Sequence, residues 1–364
     1  MDTHMLDARD NKMFRRHAIA SFASTALCLL PRMAWSSGLT AAAQGRATLD
    51  LREDGSANAE PGTPQMTRLL DGYRTRPPWK VAGVDYAVGV AAGKRLTDWR
   101  KLDLPGVRID GNFVVVTGGD AVLDGIDFST NGGTQLYVKT DGEVTIRNCR
   151  FGGDYLRSIA TGIIDIASPR VVIRNCTFDG AAAGNAACIL FFRRSVDATV
   201  QYCHAHNFPS RVIQLIAGGA LDYRFNLIGQ GAMQTGAHMN YLEFGSGESR
   251  PIVAFNTTAQ TAPARSGGEG FQFYFNAGGA MHEPLCMNNT MIARGGGGKA
   301  VMSYLMHGTR YTPGITTTLI GRAVMQGNFL DTSSAYGAFY DSSFAGWDFH
   351  DNTDLVTQEA LRPA

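Results

Sequence analysis

Two octets of this chain are nearly the same sentence. "VTIRNCRF" runs from Val144 to Phe151 and "VVIRNCTF" from Val171 to Phe178, which sets Cys149 and Cys176 27 residues apart. A further 27 residues lead to Cys203 in "ATVQYCHA". Continued through the chain, the same column takes Asn226, Asn256, Asn289, Asn328 and Asn352, at intervals of 23, 30, 33, 39 and 24 residues. Three residues before the column stand Ile146, Ile173, Val200, Tyr223, Val253, Cys286, Met325 and Phe349, all apolar or aromatic. Immediately before it stand Asn148, Asn175, Tyr202, Phe225, Phe255, Asn288, Gly327 and Asp351. Five of these eight are residue types that tolerate a left-handed backbone.

Each unit therefore reads as a short strand, a one- or two-residue bend and another short strand. Apolar and polar residues alternate with period two, the signature of strands. A unit this small cannot bury its own inner face, so successive units must stack. Parallel stacking at ~4.8 Å per coil gives a solenoid with continuous inward columns. The unequal intervals mean that bends and strands persist while one loop per coil changes length. Glycine supports this, with 43 of 364 residues against a usual ~7%. The predicted fold class is all-β: a parallel β-helix solenoid with an N-terminal cap.

The column also explains itself. Asparagines at one bend can hydrogen-bond along the stack like other side-chain ladders. The cysteines fill the same slot as small packed residues. Parallel side chains in adjacent coils are poorly aimed for a disulfide, so free thiols are expected. The spacing is not that of a zinc site, and no metal site is assigned.

Four segments follow. Residues 1–36 read as an export signal: Arg15 and Arg16 precede the apolar run from Ala18 to Leu30, which is long enough for a signal core and too short for a stable membrane span. Residues 45–104 read as the cap with early strands. Residues 105–355 carry the solenoid and 356–364 a C-terminal tail. A formal charge of +1 leaves no basic footprint for nucleic acid. The expected location is periplasmic or secreted.

The repeated "V-x-I-x-N-C/N-x-F" coils and the asparagine ladder resemble the right-handed parallel β-helix superfamily. Its members include pectate lyases, alginate and chondroitin lyases and polygalacturonases. The resemblance covers roughly residues 105–355 and implies the fold far more than any one activity, because tailspikes, adhesins and epimerases share the coil. The consecutive aspartates and "GHG" of polygalacturonases are absent. So are the arginine–proline motif of pectate lyases and the "DPHE" of alginate epimerases.

A second strand class follows the variable loop: "GIIDIA", "CILFFR", "VIQLIA", "MNYLEFG", "FQFYFN" and "MSYLMHG". Alternation turns Ile164, Ile166, Leu190, Phe192, Leu242, Phe244, Phe271 and Phe273 inward. It turns Asp165, Phe191, Arg193, Gln214, Tyr241, Glu243, Gln272, Tyr274, Asn276 and Ser303 outward. Carboxylate, amide, phenol and guanidinium on one face suit a sugar-binding groove. The densest constellation is "GAHMNYLEFGSGESR", with His238, Asn240, Tyr241, Glu243, Glu248 and Arg250. "HAHNFPSR" before it adds His204, His206 and Arg211, and the loop after it adds Glu269. "GAHMN" resembles the His-x-Asp stretch of many β-helix proteins, with Asn240 where the acid would stand.

A lyase acting on a uronate needs a base, and a cation to neutralise the carboxylate. His238, Tyr241, Glu243 and Arg211 are the expected catalytic group. Asp165, Arg193, Gln214, Asn240, Arg250, Glu269, Gln272 and Tyr274 are the expected substrate contacts. Calcium is the one cofactor left open, since no acidic loop shows its ligand spacing. The resulting expectation is a lyase of an acidic extracellular or envelope polysaccharide. A glycoside hydrolase on the same scaffold and a non-catalytic glycan-binding or surface protein are the alternatives.

Overall fold

Each short strand satisfies its backbone groups only by pairing with the equivalent strand one coil away. In the computed structural model this happens on three sides. The structure describes residues 66–362, apart from 159–160, 181–187, 209, 230, 232–238, 261–267, 294–303, 309–315, 334–336 and 341–343. The expected export signal, residues 1–36, lies outside them. Among the described residues, sheet one has ten strands, from Thr97–Asp98 to Thr353–Asp354. Sheet two has eleven, including Ala121–Asp124 at one end and Trp347–His350 at the other. Sheet three has nine, from Val107–Asp110 to Tyr304–His307. Strand pairing is parallel except in the hairpin of Val107–Asp110 with Phe113–Val116. The chain is an all-β, right-handed parallel β-helix. Among the described residues, no helix is long and apolar enough to cross a membrane.

The register follows the sequence repeat at every step. Ile146, Ile173, Val200, Tyr223, Val253, Cys286, Met325 and Phe349 pair in succession along sheet two. Their side chains, with Phe151 and Phe178 from sheet one and Phe128 just after a sheet-one strand, feed a continuous apolar interior. Phe128, Phe151 and Phe178 stack at centroid distances of 4.6 and 5.0 Å.

The bend between sheets two and one is where the ladder forms. Each asparagine accepts from the backbone N–H of the column residue one coil earlier. Cys203 N reaches Asn226 Oδ1 at 2.9 Å, Asn226 N reaches Asn256 Oδ1 at 3.1 Å, and Asn256 N reaches Asn289 Oδ1 at 3.0 Å. Asn289 and Asn328 repeat the bond at 3.0 Å. Each Nδ2 donates to a sheet-two carbonyl of the preceding coil: Val200 O, Tyr223 O, Val253 O, Cys286 O and Met325 O, at 2.8–3.0 Å. The cysteines do more than fill space. Their thiols make longer contacts with the equivalent carbonyls, Leu123 O, Ile146 O and Ile173 O, at 3.5, 3.7 and 3.8 Å. All five cysteines among the described residues are free and buried.

All eight residues before the column have positive φ, between 52° and 65°. Asn, Asp and Gly adopt this conformation readily. Tyr202, Phe225 and Phe255 do not, and bulky side chains there cost roughly 1–3 kcal/mol each. Their rings stack at 5.1 and 5.3 Å and are almost fully buried, which offsets that cost.

Residues 66–104 lie in the segment expected to cap the first coil. Thr97–Asp98 is already a rung, paired with Ile126–Asp127. Trp99 beside it is buried in the apolar interior, and its Nε1 donates to Thr130 O at 3.0 Å. Residues 66–90 instead run along the side of the solenoid.

Two predictions follow from the ladder. Asn256→Leu strands Asn226 N–H and Tyr223 C=O in the interior and lowers unfolding stability by about 1–3 kcal/mol, measured by urea titration. Thiol titration of the unfolded, unreduced protein finds the five cysteines of residues 66–364 all reactive; any disulfide among them contradicts the ladder geometry.

Candidate functional site

The outward residues of sheet three form one register column. Tyr137, Asp165, Phe191, Gln214 and Glu243 are successive partners. At ~4.8 Å per step, adjacent side chains touch.

Two carboxylates in this column are buried, and each is held by a guanidinium. Asp165 is 2% exposed. Arg193 grips it with both arms, Nε to Oδ1 at 2.5 Å and an Nη to Oδ2 at 2.6 Å. Glu243 is 3% exposed. It accepts from Arg211 Nε, from Gln214 Nε2 at 2.7 Å and from Asn240 Nδ2 at 2.9 Å. Such bidentate and charge-assisted bonds make an ion pair tolerable away from water.

Around these pairs lie flat apolar faces. The Arg193 guanidinium sits 5.1 Å from the centroid of Phe191, and Lys139 Nζ sits 5.1 Å from that of Tyr137. Both rings are half-buried, as is Gln214. The Tyr137 hydroxyl titrates above its usual range, first through burial and then through the Asp165 charge, with Arg193 opposing. Burial likewise raises Tyr155, helped by Tyr137. Phe113 bridges these two phenols, 5.4 Å from one ring and 5.9 Å from the other.

Several expected site residues stand elsewhere. Tyr241 is not outward. It is fully buried in the apolar interior, edge-on to Phe208 at 6.0 Å and Phe271 at 5.7 Å. Burial pushes its phenol far above the usual range. The reason is a departure from strict alternation where the strand begins. Tyr241 and Leu242 are both core residues, as are Ile163 with Ile164, Ile189 with Leu190 and Val212 with Ile213. Arg250 belongs to sheet two, with its Nε 3.9 Å from Glu283 Oε2. Glu248 shares that sheet and lies 3.3 Å from His282 Nε2.

Gln272 and Tyr274 are buried rather than lining an open groove. The register slips beside them: Leu242 pairs with Phe271, but Phe244 pairs with Phe275. The two extra residues re-aim this stretch, as bulges do. Asn240 is buried as well and serves Glu243. His238 and Ser303 lie outside the described residues, as does the Glu269 side chain. Asp165, Arg193, Arg211, Gln214, Asn240 and Glu243 are thus brought together on one sheet, half of them covered.

Tyr137, Lys139 and His307 were missed by sequence reasoning. Tyr137 precedes the strands used for alignment, and Lys139 stands two residues on, just past the end of its strand. His307 pairs with Gln272 and lies between Tyr274 and Tyr340, at centroid distances of 4.6 and 4.3 Å. Its signal was present in "MSYLMHG", at the same parity as Gln272.

The family profile described as "Right handed beta helix region" matches residues 105–243. No curated protein matches the chain, and no solved structure does. Fold and profile agree on a right-handed parallel β-helix. They single out no particular member. Among the described residues, no group of three or more His, Cys, Asp or Glu is placed to hold a metal ion.

His204 and His206 stand on sheet one, away from Arg211, with ring centroids 4.6 Å apart. Burial and then His206 pull the His204 pKa down to about 3. Burial lowers His206 too, against the opposing charge of Asp179. The unfolded chain therefore takes up these protons first, and stability falls as pH drops from about 6.5 toward 3. Denaturant titrations at pH 7 and pH 4.5 should differ by about 2 kcal/mol from this source. His204→Asn should remove most of the difference.

Proposed function

We propose that the protein is exported and engages an acidic polysaccharide on the outer face of sheet three. The observation that carries this reading is the pairing of ring and cation: Lys139 over Tyr137 and Arg193 over Phe191. Sugar rings present a C–H face that packs on aromatic planes, while ammonium and guanidinium groups attract carboxylates. Tyr137 and Phe191 are two register steps apart, or ~10 Å, about one or two sugar units. Gln214 adds an amide for hydroxyl groups. Asp165 and Glu243 hold the guanidinium planes in place.

A lyase is the reaction this face favours. β-Elimination removes the proton α to a carboxylate, which requires a neutralising cation and a proton-transfer group. Tyr137 is a half-buried phenol flanked by Lys139 and influenced by Arg193. Hydrolysis is less well supported. Asp165 and Glu243 are three register steps apart, ~14 Å, whereas a glycosidase pair needs roughly 5–9.5 Å. Both are also committed to guanidinium bonds.

The test is a panel of acidic and neutral polysaccharides, scored for retention in affinity electrophoresis and for ultraviolet absorbance of unsaturated ends. Acidic chains should be retained preferentially. Phe191→Ala and Lys139→Gln should each weaken binding about tenfold, the loss of roughly 1.4 kcal/mol. Tyr137→Phe separates the two levels of the proposal: binding persists, while turnover drops by ~10²-fold or more. Equal retention of neutral and acidic chains overturns the reading.

A further inference from the structure

Residues 66–90 cross the solenoid lengthwise, and their contacts descend through the coils in order. The Tyr73 hydroxyl donates to Asp331 Oδ2, across 258 positions of sequence. Trp79 meets Phe329 edge-on at 5.3 Å and Phe255 at 6.1 Å. Gly83, with φ of 73°, comes so close to Leu227 that an added Cβ would lie 2.5 Å from Leu227 Cδ2. Tyr86 packs on Tyr202 at 6.5 Å, and Gly89 N donates to Tyr202 O at 2.8 Å. Val90 N donates to Thr177 Oγ1 at 2.9 Å. Thr177, His204, Leu227, Thr257, Thr290 and Phe329 are consecutive rungs of sheet one. The segment thus covers six rungs, ~24 Å of solenoid.

This strap also covers the stacked aromatic bends. Tyr202, Phe225 and Phe255 stand where other coils have Asn, Asp or Gly. Trp79 meets the ring of Phe255 and Tyr86 that of Tyr202, one at each end of the stack.

A solenoid is quasi-one-dimensional: each coil touches only its neighbours, so distant coils can open independently. The geometry points to the strap as a longitudinal clamp that couples late coils to early ones. Its docking surface is complete only when the coils carrying Phe329 and Asp331 have formed. The strap, though nearest the N-terminus, therefore docks last, because this contact must close the longest loop. Docking makes the solenoid open as one unit.

Amide hydrogen exchange on the full-length protein tests this, with Trp79→Ala and the milder Tyr73→Phe. The informative strands are Ala323–Gln326 and Trp347–His350 on sheet two, where no strap contact described above falls. Trp79→Ala should speed their exchange at least tenfold, and Tyr73→Phe should do so to a smaller extent. Urea unfolding followed separately at Trp99 and Trp347 should be coincident in the parent and separate in Trp79→Ala. If exchange rises only in residues 66–90 and the rings they cover, with the two transitions still coincident, the strap is a passive cover and the inference fails.

Discussion

One amide group per coil holds the late coils together. At the bend between sheets two and one the backbone turns through a left-handed residue, leaving an N–H and a C=O turned into the interior. An asparagine one coil along accepts from the first, and its own Nδ2 donates to a sheet-two carbonyl of the coil before. Unsatisfied buried backbone groups cost about as much as a lost hydrogen bond, so the side chain is close to obligatory there. Registers in sheets one and two follow, since fixing the bend fixes which residues pair on either side of it, and sheet three keeps step with them as far as Leu242 before slipping by two residues. In the early coils, cysteine makes a weaker version of the same contact, and tightly packed phenylalanines accompany it.

That fixed register gives sheet three its chemistry. A parallel ladder brings equivalent positions of successive coils side by side, so an acid in one coil meets a base in another without either being near in sequence. Asp165 finds Arg193, and Glu243 finds Arg211 and Gln214. Half of this outward face is nonetheless buried. The carboxylates act as internal counter-ions, and the Arg193 cation that Asp165 orients also lies over the half-exposed ring of Phe191.

The column from Cys149 to Asn352 was legible because it rests on local physics repeated eight times: an apolar residue, a bend and a small polar residue at fixed offsets. The site was legible only where strict alternation held. It held for Asp165, Phe191, Gln214 and Glu243. It failed at Tyr241, where two successive residues turn inward, and at Gln272 to Tyr274, where two extra residues break the register. Arg250 and His204 seemed part of the site because each lies seven residues from a member of it, Glu243 and Arg211 respectively. In a solenoid, ten residues are enough to pass from one side to another. The strap was invisible for a related reason: its partners lie up to 258 positions away, and no periodicity encodes such a contact.

The hairpin at the start of sheet three has a consequence beyond this molecule. A parallel solenoid that simply stopped would present a bare strand edge, ready to accept the end of a second copy and grow into a filament. Here the terminal strand, Val107–Asp110, is reversed against Phe113–Val116 and largely exposed, and it carries the Arg108–Asp110 ion pair. A neighbour arriving at that edge meets the wrong strand direction and a pair of charges. Among the described residues, the coil geometry that lets one chain add rungs to itself thus ends on this sheet in a reversed, charged strand.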